Sequence, residues 1–155
     1  MATLVGIRGD VKTILFELIE LDYDAAAAYG AAIARMKDGE AKAALAGFKA
    51  DHERHVKEVG EQLQLMGGEP PKGPDVRGVL TEGMVVVAGL IGDRAILRAM
   101  KANEDDSNKA YERAAARQDM NAELLALMKR SLEDERRHRA WIVERLKERA
   151  VAAHP

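Results

Sequence analysis

Apolar residues recur along this chain at three- and four-residue intervals, and polar residues fill the gaps. Residues 11–38 read "VKTILFELIELDYDAAAAYGAAIARMKD", with Ile14, Leu15, Leu18, Leu21, Ala25, Ala28, Tyr29, Ala32 and Met36 on one stripe. That spacing is one face of an amphipathic helix. Asp38-Gly39 breaks it. Residues 39–68 give a second stripe through Ala44, Leu45, Phe48, His52, His55, Val59 and Leu63. Gly67-Gly68 ends that helix and "EPPKGPD" keeps it ended. Residues 76–92, "VRGVLTEGMVVVAGLIG", predict a short crossover helix. A long helix follows over 93–117, a turn near 118–121, and a last helix over 122–150.

The two halves repeat. A shift of 82 lays Ile14, Leu15, Asp24, Ala28, Tyr29, Ala32, Ala34 and Arg35 on identical residues, from Ile96 to Arg117, and lays Asp22 on Glu104. A shift of 83 lays Asp51, Arg54, His55, Glu61 and Leu63 on Asp134, Arg137, His138, Glu144 and Leu146. Alanine-rich helices match easily by chance, but the tyrosine, histidine and acid registers do not. Two duplicated helical hairpins joined by a long linker imply an all-α, four-helix bundle with a crossover. The expected organisation is a single domain over 1–155: hairpin one about 5–67, crossover 68–91 with its short helix, hairpin two 92–150.

Composition narrows the function classes. The chain has 155 residues, 47% hydrophobic and 32% charged, enough for one domain with its own core. A net charge of −2 recommends neither a nucleic-acid groove nor an anionic membrane surface. The longest apolar run, residues 84–91, is far short of the roughly 18 residues that span a bilayer. There is no cysteine, so disulfides and thiolate metal sites are excluded. The N-terminus lacks a signal core, and a cytoplasmic protein is the expectation.

Three of the four histidines lie in two short stretches, "DHERHV" at 51–56 and "LEDERRHRAW" at 132–141. Residues three apart on a helix share a face, offset by about 4.5 Å along the axis. Glu135 and His138 hold that relation, as do His52 and His55. Glu104 and Tyr111 share the inward stripe of the preceding helix, and Asp22 and Tyr29 share it in the first half. A histidine on such a face is either a hydrogen-bonded core residue or a ligand. The repeated Glu135/His138 pattern favours a ligand. Buried carboxylates also need a partner or a cation. Asp105, Asp106, Asp24 and Glu20 read as solvated surface, Trp141 and the methionines as packing, and His154 as an idle tail residue.

An acid followed seven residues on by tyrosine, then Glu-x-x-His on the next helix, in both halves, resembles the ferritin-like superfamily, with rubrerythrin and bacterioferritin its di-iron members. The "GGEP" hinge and "AIL…NED…KAYE" also resemble an uncharacterised bacterial four-helix-bundle family within it. The resemblance implies that Asp22 and Glu104 are terminal metal ligands. Glu135 bridges two ions, and His55 and His138 each cap one. Tyr29 and Tyr111 are the hydrogen-bond donors that orient the carboxylates. Two positions depart from the pattern. Asp22 is one methylene shorter than the usual Glu, and His52 stands where the second bridging Glu belongs. Three carboxylates and three neutral imidazoles leave about one net positive charge with two divalent ions, or about one negative with a single ion. Both an asymmetric two-metal site and a one-metal site remain open. Glu53, about 100° around the helix from His52, is the other acid that a local rotation could bring in.

The resemblance further implies two iron ions, with zinc or manganese as alternatives. It implies a ferroxidase- or peroxidase-type oxidoreductase acting on Fe(II), O2 or peroxide with an external electron donor. The alternative is a non-catalytic bundle with one metal or none, serving stress response or assembly. A homo-oligomer, at least a dimer, is expected through the apolar "VVVAGLI" segment.

Overall fold

The computed structural model describes residues 4–73, 87 and 89–151. Four helices form the bundle: α1 Val11–Arg35, α2 Gly39–Leu65, α3 Asp93–Ala115 and α4 Ala122–Val151. There is no strand among the described residues. The crossover helix expected at 76–92 falls almost wholly outside them. Of the "VVVAGLI" segment, Val85, Val86 and Ala88 lie outside them, and Val87, Gly89, Leu90 and Ile91 within.

Side-chain chemistry sets the helix ends. Asp10 caps α1, its carboxylate accepting the Thr13 amide at 2.9 Å. The first helix stops at Arg35, three residues before the expected break at Asp38-Gly39. Asp38 instead turns its carboxylate onto the amides of Glu40 and Ala41, starting α2. Asn121 accepts the Leu124 amide at 2.8 Å at the head of α4. The end of α2 is a Schellman motif. Gly67 has φ 75°, its amide bonds the Gln64 carbonyl, and the Gly68 amide bonds the Leu63 carbonyl.

Helix α1 packs on α2 and α3 on α4, with further contacts between α1 and α3 and between α2 and α4. The Asp93 carboxylate at the start of α3 accepts the Lys37 and Asp38 amides at the end of α1. Arg113, at the other end of α3, bonds the Val5 carbonyl. Thus α1 and α3 run antiparallel. Gln62 with Glu123, and Asp38 with Arg145, show the same for α2 and α4. Leu65 and Asp93 therefore lie at opposite ends of the bundle, about 40 Å apart for a helix of this length.

The core is split in two. One apolar cluster holds Ile14, Leu15, Leu18, Val59, Leu63, Ala114, Leu124 and Met128. The other holds Ala32, Met36, Leu45, Phe48, Ile96, Leu97, Met100 and Ile142. Residues paired by the repeat lie on opposite sides: Ile14 and Leu15 in the first cluster, Ile96 and Leu97 in the second. Between them, at the middle of all four helices, lies a layer of buried polar side chains.

Candidate metal centre

Every ligand position marked in the sequence sits in that layer. Asp22, His52, His55, Glu104, Glu135 and His138 are each 0% exposed. Tyr29 and Tyr111 are as deeply buried. Six ionisable groups without solvent would be ruinous unless charges cancel. The four helices place them by register alone: Asp22 from α1, His52 and His55 from α2, Glu104 from α3, Glu135 and His138 from α4.

Two overlapping groups of potential ligand atoms form. One is Asp22, His52, His55 and Glu135; the other is His52, Glu104, Glu135 and His138. The atoms within each lie inside 4.8 Å of one another. In the first group the edges are short. His52 Nδ1 is 2.9 Å from Asp22 Oδ1 and 3.5 Å from Glu135 Oε1. His55 Nδ1 is 3.6 Å from Asp22 Oδ1 and 3.3 Å from Glu135 Oε1. An ion with bonds of about 2.0–2.2 Å has ligand–ligand edges of about 3.0 Å if octahedral and about 3.4 Å if tetrahedral. The cage is already close to that size. The second group is looser, with His52 Nε2 3.5 Å and His138 Nδ1 3.8 Å from the Glu104 oxygens.

Asp22 therefore reaches the centre despite its short side chain. Glu53 does not: it pairs with Lys49 on the surface. Asp105 is held outside too, by Lys101 and Arg139 at 2.6 Å.

The tyrosines act across the repeat. Tyr29 of α1 donates to Glu104 of α3, and Tyr111 of α3 donates to Asp22 of α1 at 2.5 Å. Each hairpin thus orients the other's carboxylate. The same exchange links α2 and α4. His55 Nε2 lies 3.1 Å from Asp134, and His138 Nε2 lies 2.9 Å from Asp51. A carboxylate can only accept, so each Nε2 carries the hydrogen and each Nδ1 faces the centre. Arg137 bonds both Asp51 and Asp134, and Arg54 pairs with the same two acids. Sequence reading noted these acids and arginines only as repeat matches. Their signal was Asp-x-x-Arg-His, present as "DHERH" and "DERRH". Asn108 was also missed. Its amide donates to the carbonyls of Glu104 and Glu135 at 2.8 and 2.9 Å, locking α3 and α4 in register at the ligands.

The buried atoms with no hydrogen-bond partner fit an ion at the centre. They include His55 Nδ1, His138 Nδ1, Glu104 Oε2 and both Glu135 oxygens. A neutral imidazole with its far nitrogen already donating has a lone pair to give.

Protons balance the charge where a cation would otherwise sit. Burial opposes ionisation of Asp22, but His52 and His55 outweigh it and hold the acid below its ordinary value. Burial likewise opposes Glu104, and His52, His138 and Tyr29 hold it low. Glu135 is pushed up to about 8, by burial first and then by the neighbouring Glu104 and Asp22. Burial works against a charged His55, yet Asp22 and Glu135 push it up to about 10. Burial is overcome at His52 as well, where Glu135, Asp22 and Glu104 raise it well above normal. At His138 burial prevails and lowers it. Asp22 and Glu104 are thus held toward their anionic forms, His52 and His55 toward their cationic forms, and Glu135 toward its protonated form.

Among the described residues no helix is long and apolar enough to cross a membrane. No curated protein and no solved structure matches the chain. Residues 10–118 do match a family model, spanning α1 to α3 and ending before Glu135 and His138. On that match the chain belongs to the family described as "Domain of unknown function (DUF2383)", within the ferritin-like superfamily.

Proposed function

We propose that this chain is a metal-binding ferritin-like protein of the rubrerythrin/bacterioferritin type, holding two iron ions for Fe(II) oxidation or reduction of O2 or peroxide. The observation that carries this reading is the convergence of six buried side chains into two overlapping ligand groups, with unpartnered atoms on four of them: His55, His138, Glu104 and Glu135. Bound iron would supply one-electron redox chemistry toward oxygen. The protein's own part is to hold it. Tyr29 and Tyr111 fix the terminal carboxylates, and Asp51 and Asp134 fix the imidazoles. The apolar clusters on both sides exclude water. These 155 residues hold no cysteine, so any electrons would reach the centre from a donor outside this bundle.

Aerobic addition of Fe(II) to metal-free protein tests this. The expected result is a ferric absorption band that weakens in Glu135→Ala. A folded protein giving no band would overturn the iron chemistry. A second reading, one ion (zinc or manganese) or none with no redox work, is favoured by His52 in place of a carboxylate and by the looser second group. Metal analysis of protein purified without added metal separates the two, since two irons per chain exclude the second.

A further inference from the structure

Shifting the sequence by 83 lays His52 on Glu135. The repeat therefore sets an imidazole opposite the shared carboxylate, on the other side of the centre. Those two residues are the ones common to both ligand groups. The two nitrogens of His52 divide between the groups. Nδ1 faces Asp22 and Glu135 at 2.9 and 3.5 Å, in the set completed by His55. Nε2 faces Glu104 at 3.5 Å, in the set completed by His138. The ring cannot swing away, because it is 0% exposed and lies against Tyr29, with ring centres 5.5 Å apart.

We infer that His52 is a linking ligand, binding one ion through Nδ1 and a second through Nε2. The inference rests on the metal-binding reading above and specifies the form of the centre. Charge agrees with it. Linking through both nitrogens leaves the ring without an N–H hydrogen, so the two protons that a protonated His52 carries both pass to solvent. The ring then carries one negative charge. With Asp22, Glu104 and Glu135 the ligands bring four negative charges to two divalent ions, as four carboxylates would. His52 thus replaces the missing bridging carboxylate in charge and in connectivity, but not in length. Two metal–nitrogen bonds of about 2.0–2.1 Å on either side of an imidazole put the ions about 6 Å apart. Carboxylate-bridged pairs lie about 3.5–4 Å apart. The competing role is a protonated His52 that neutralises Asp22 and Glu104 beside a single ion.

The test loads full-length metal-free protein with Cu(II), counts ions per chain, and locates them by anomalous diffraction. Electron paramagnetic resonance reads their magnetic coupling in solution. The expected result is two ions about 6 Å apart, coupled, with His52 between them. His52→Glu should keep two ions and contract them to about 3.5–4 Å. If the wild-type ions already lie about 3.5–4 Å apart, the link is wrong while metal binding stands. A single ion with His52 still bonded to Asp22 also overturns the link and leaves metal binding intact. No bound ion at all overturns both. Should His52→Glu fail to fold, the wild-type separation and coupling decide alone.

Discussion

At the scale of single residues, the centre depends on groups that never touch an ion. Asp134 and Asp51 each hold the Nε2 hydrogen of a histidine from the opposite hairpin. Asp134→Asn keeps the size of the side chain but exchanges a charged acceptor for a neutral one. Partners of this kind are typically worth 10–100-fold in metal affinity. Competitive titration with a chelating dye should show a loss of about that size, with helix content unchanged by circular dichroism. Protonation gives a second expectation. In the metal-free protein His52 and His55 are raised, the latter to about 10, and Glu135 is raised to about 8. An ion must displace these protons. Apparent metal affinity should therefore climb as pH rises from 6 toward 8. Calorimetry in buffers of differing ionisation enthalpy should show protons released on binding. The same shifts govern the metal-free fold. A group raised on folding stabilises most below its unfolded value and loses that effect as pH passes its folded value. His55 therefore contributes fully below about 6.5, and its contribution fades as pH passes about 10.

At the scale of elements, helix ends fix which side chains reach the middle. Gly67 sits at φ 75°, where an L side chain is strained, and closes α2 in its Schellman motif. Gly67→Ala should cost about 1–2 kcal/mol. Urea unfolding should show a lower midpoint with an unchanged slope, and metal stoichiometry should stay as in the wild type, because the strain lies far from His52. The helices themselves were legible in the sequence, since their stripes follow a 3.6-residue period and breakers stand between them. The residues of the buried polar layer were legible for the same reason: Asp22, His55, Glu104, Glu135 and His138 lie on those stripes, and Asp22 with Glu104 and His55 with His138 pair across the repeat. Partnerships across helices were not. Nothing in the spacing says that Tyr29 serves Glu104 rather than Asp22, or that Asp51 reaches past its own His55 to His138. These pairings are set by how the hairpins dock. The early stop of α1 was hidden too, because a capping aspartate and a helical one look alike in sequence.

At the scale of the whole molecule, four helices meet through a charged layer flanked by two apolar clusters. Without metal, that layer sets the carboxyl groups of Asp22, Glu104 and Glu135 against the imidazoles of His52, His55 and His138. This arrangement forfeits part of the hydrophobic burial that a bundle of this size could make. An ion bound in either ligand group would join three helices at their midpoints, and it would bind only the folded state. Mass action then stabilises the fold by about 2.7 kcal/mol at a free concentration 100 times the dissociation constant. For a chain of 155 residues, at roughly 2–4 °C per kcal/mol, the thermal midpoint should rise by about 5–10 °C. The rise should grow with the logarithm of metal concentration and reverse on adding a chelator. Glu135→Ala should abolish the response, because both ligand groups share that carboxylate. Glu53→Ala, next to His52 in the chain but paired with Lys49 at the surface, should keep it in full. Calorimetric scans of the three proteins with and without metal make the comparison. A shift that survives in Glu135→Ala would place the bound ion outside the layer.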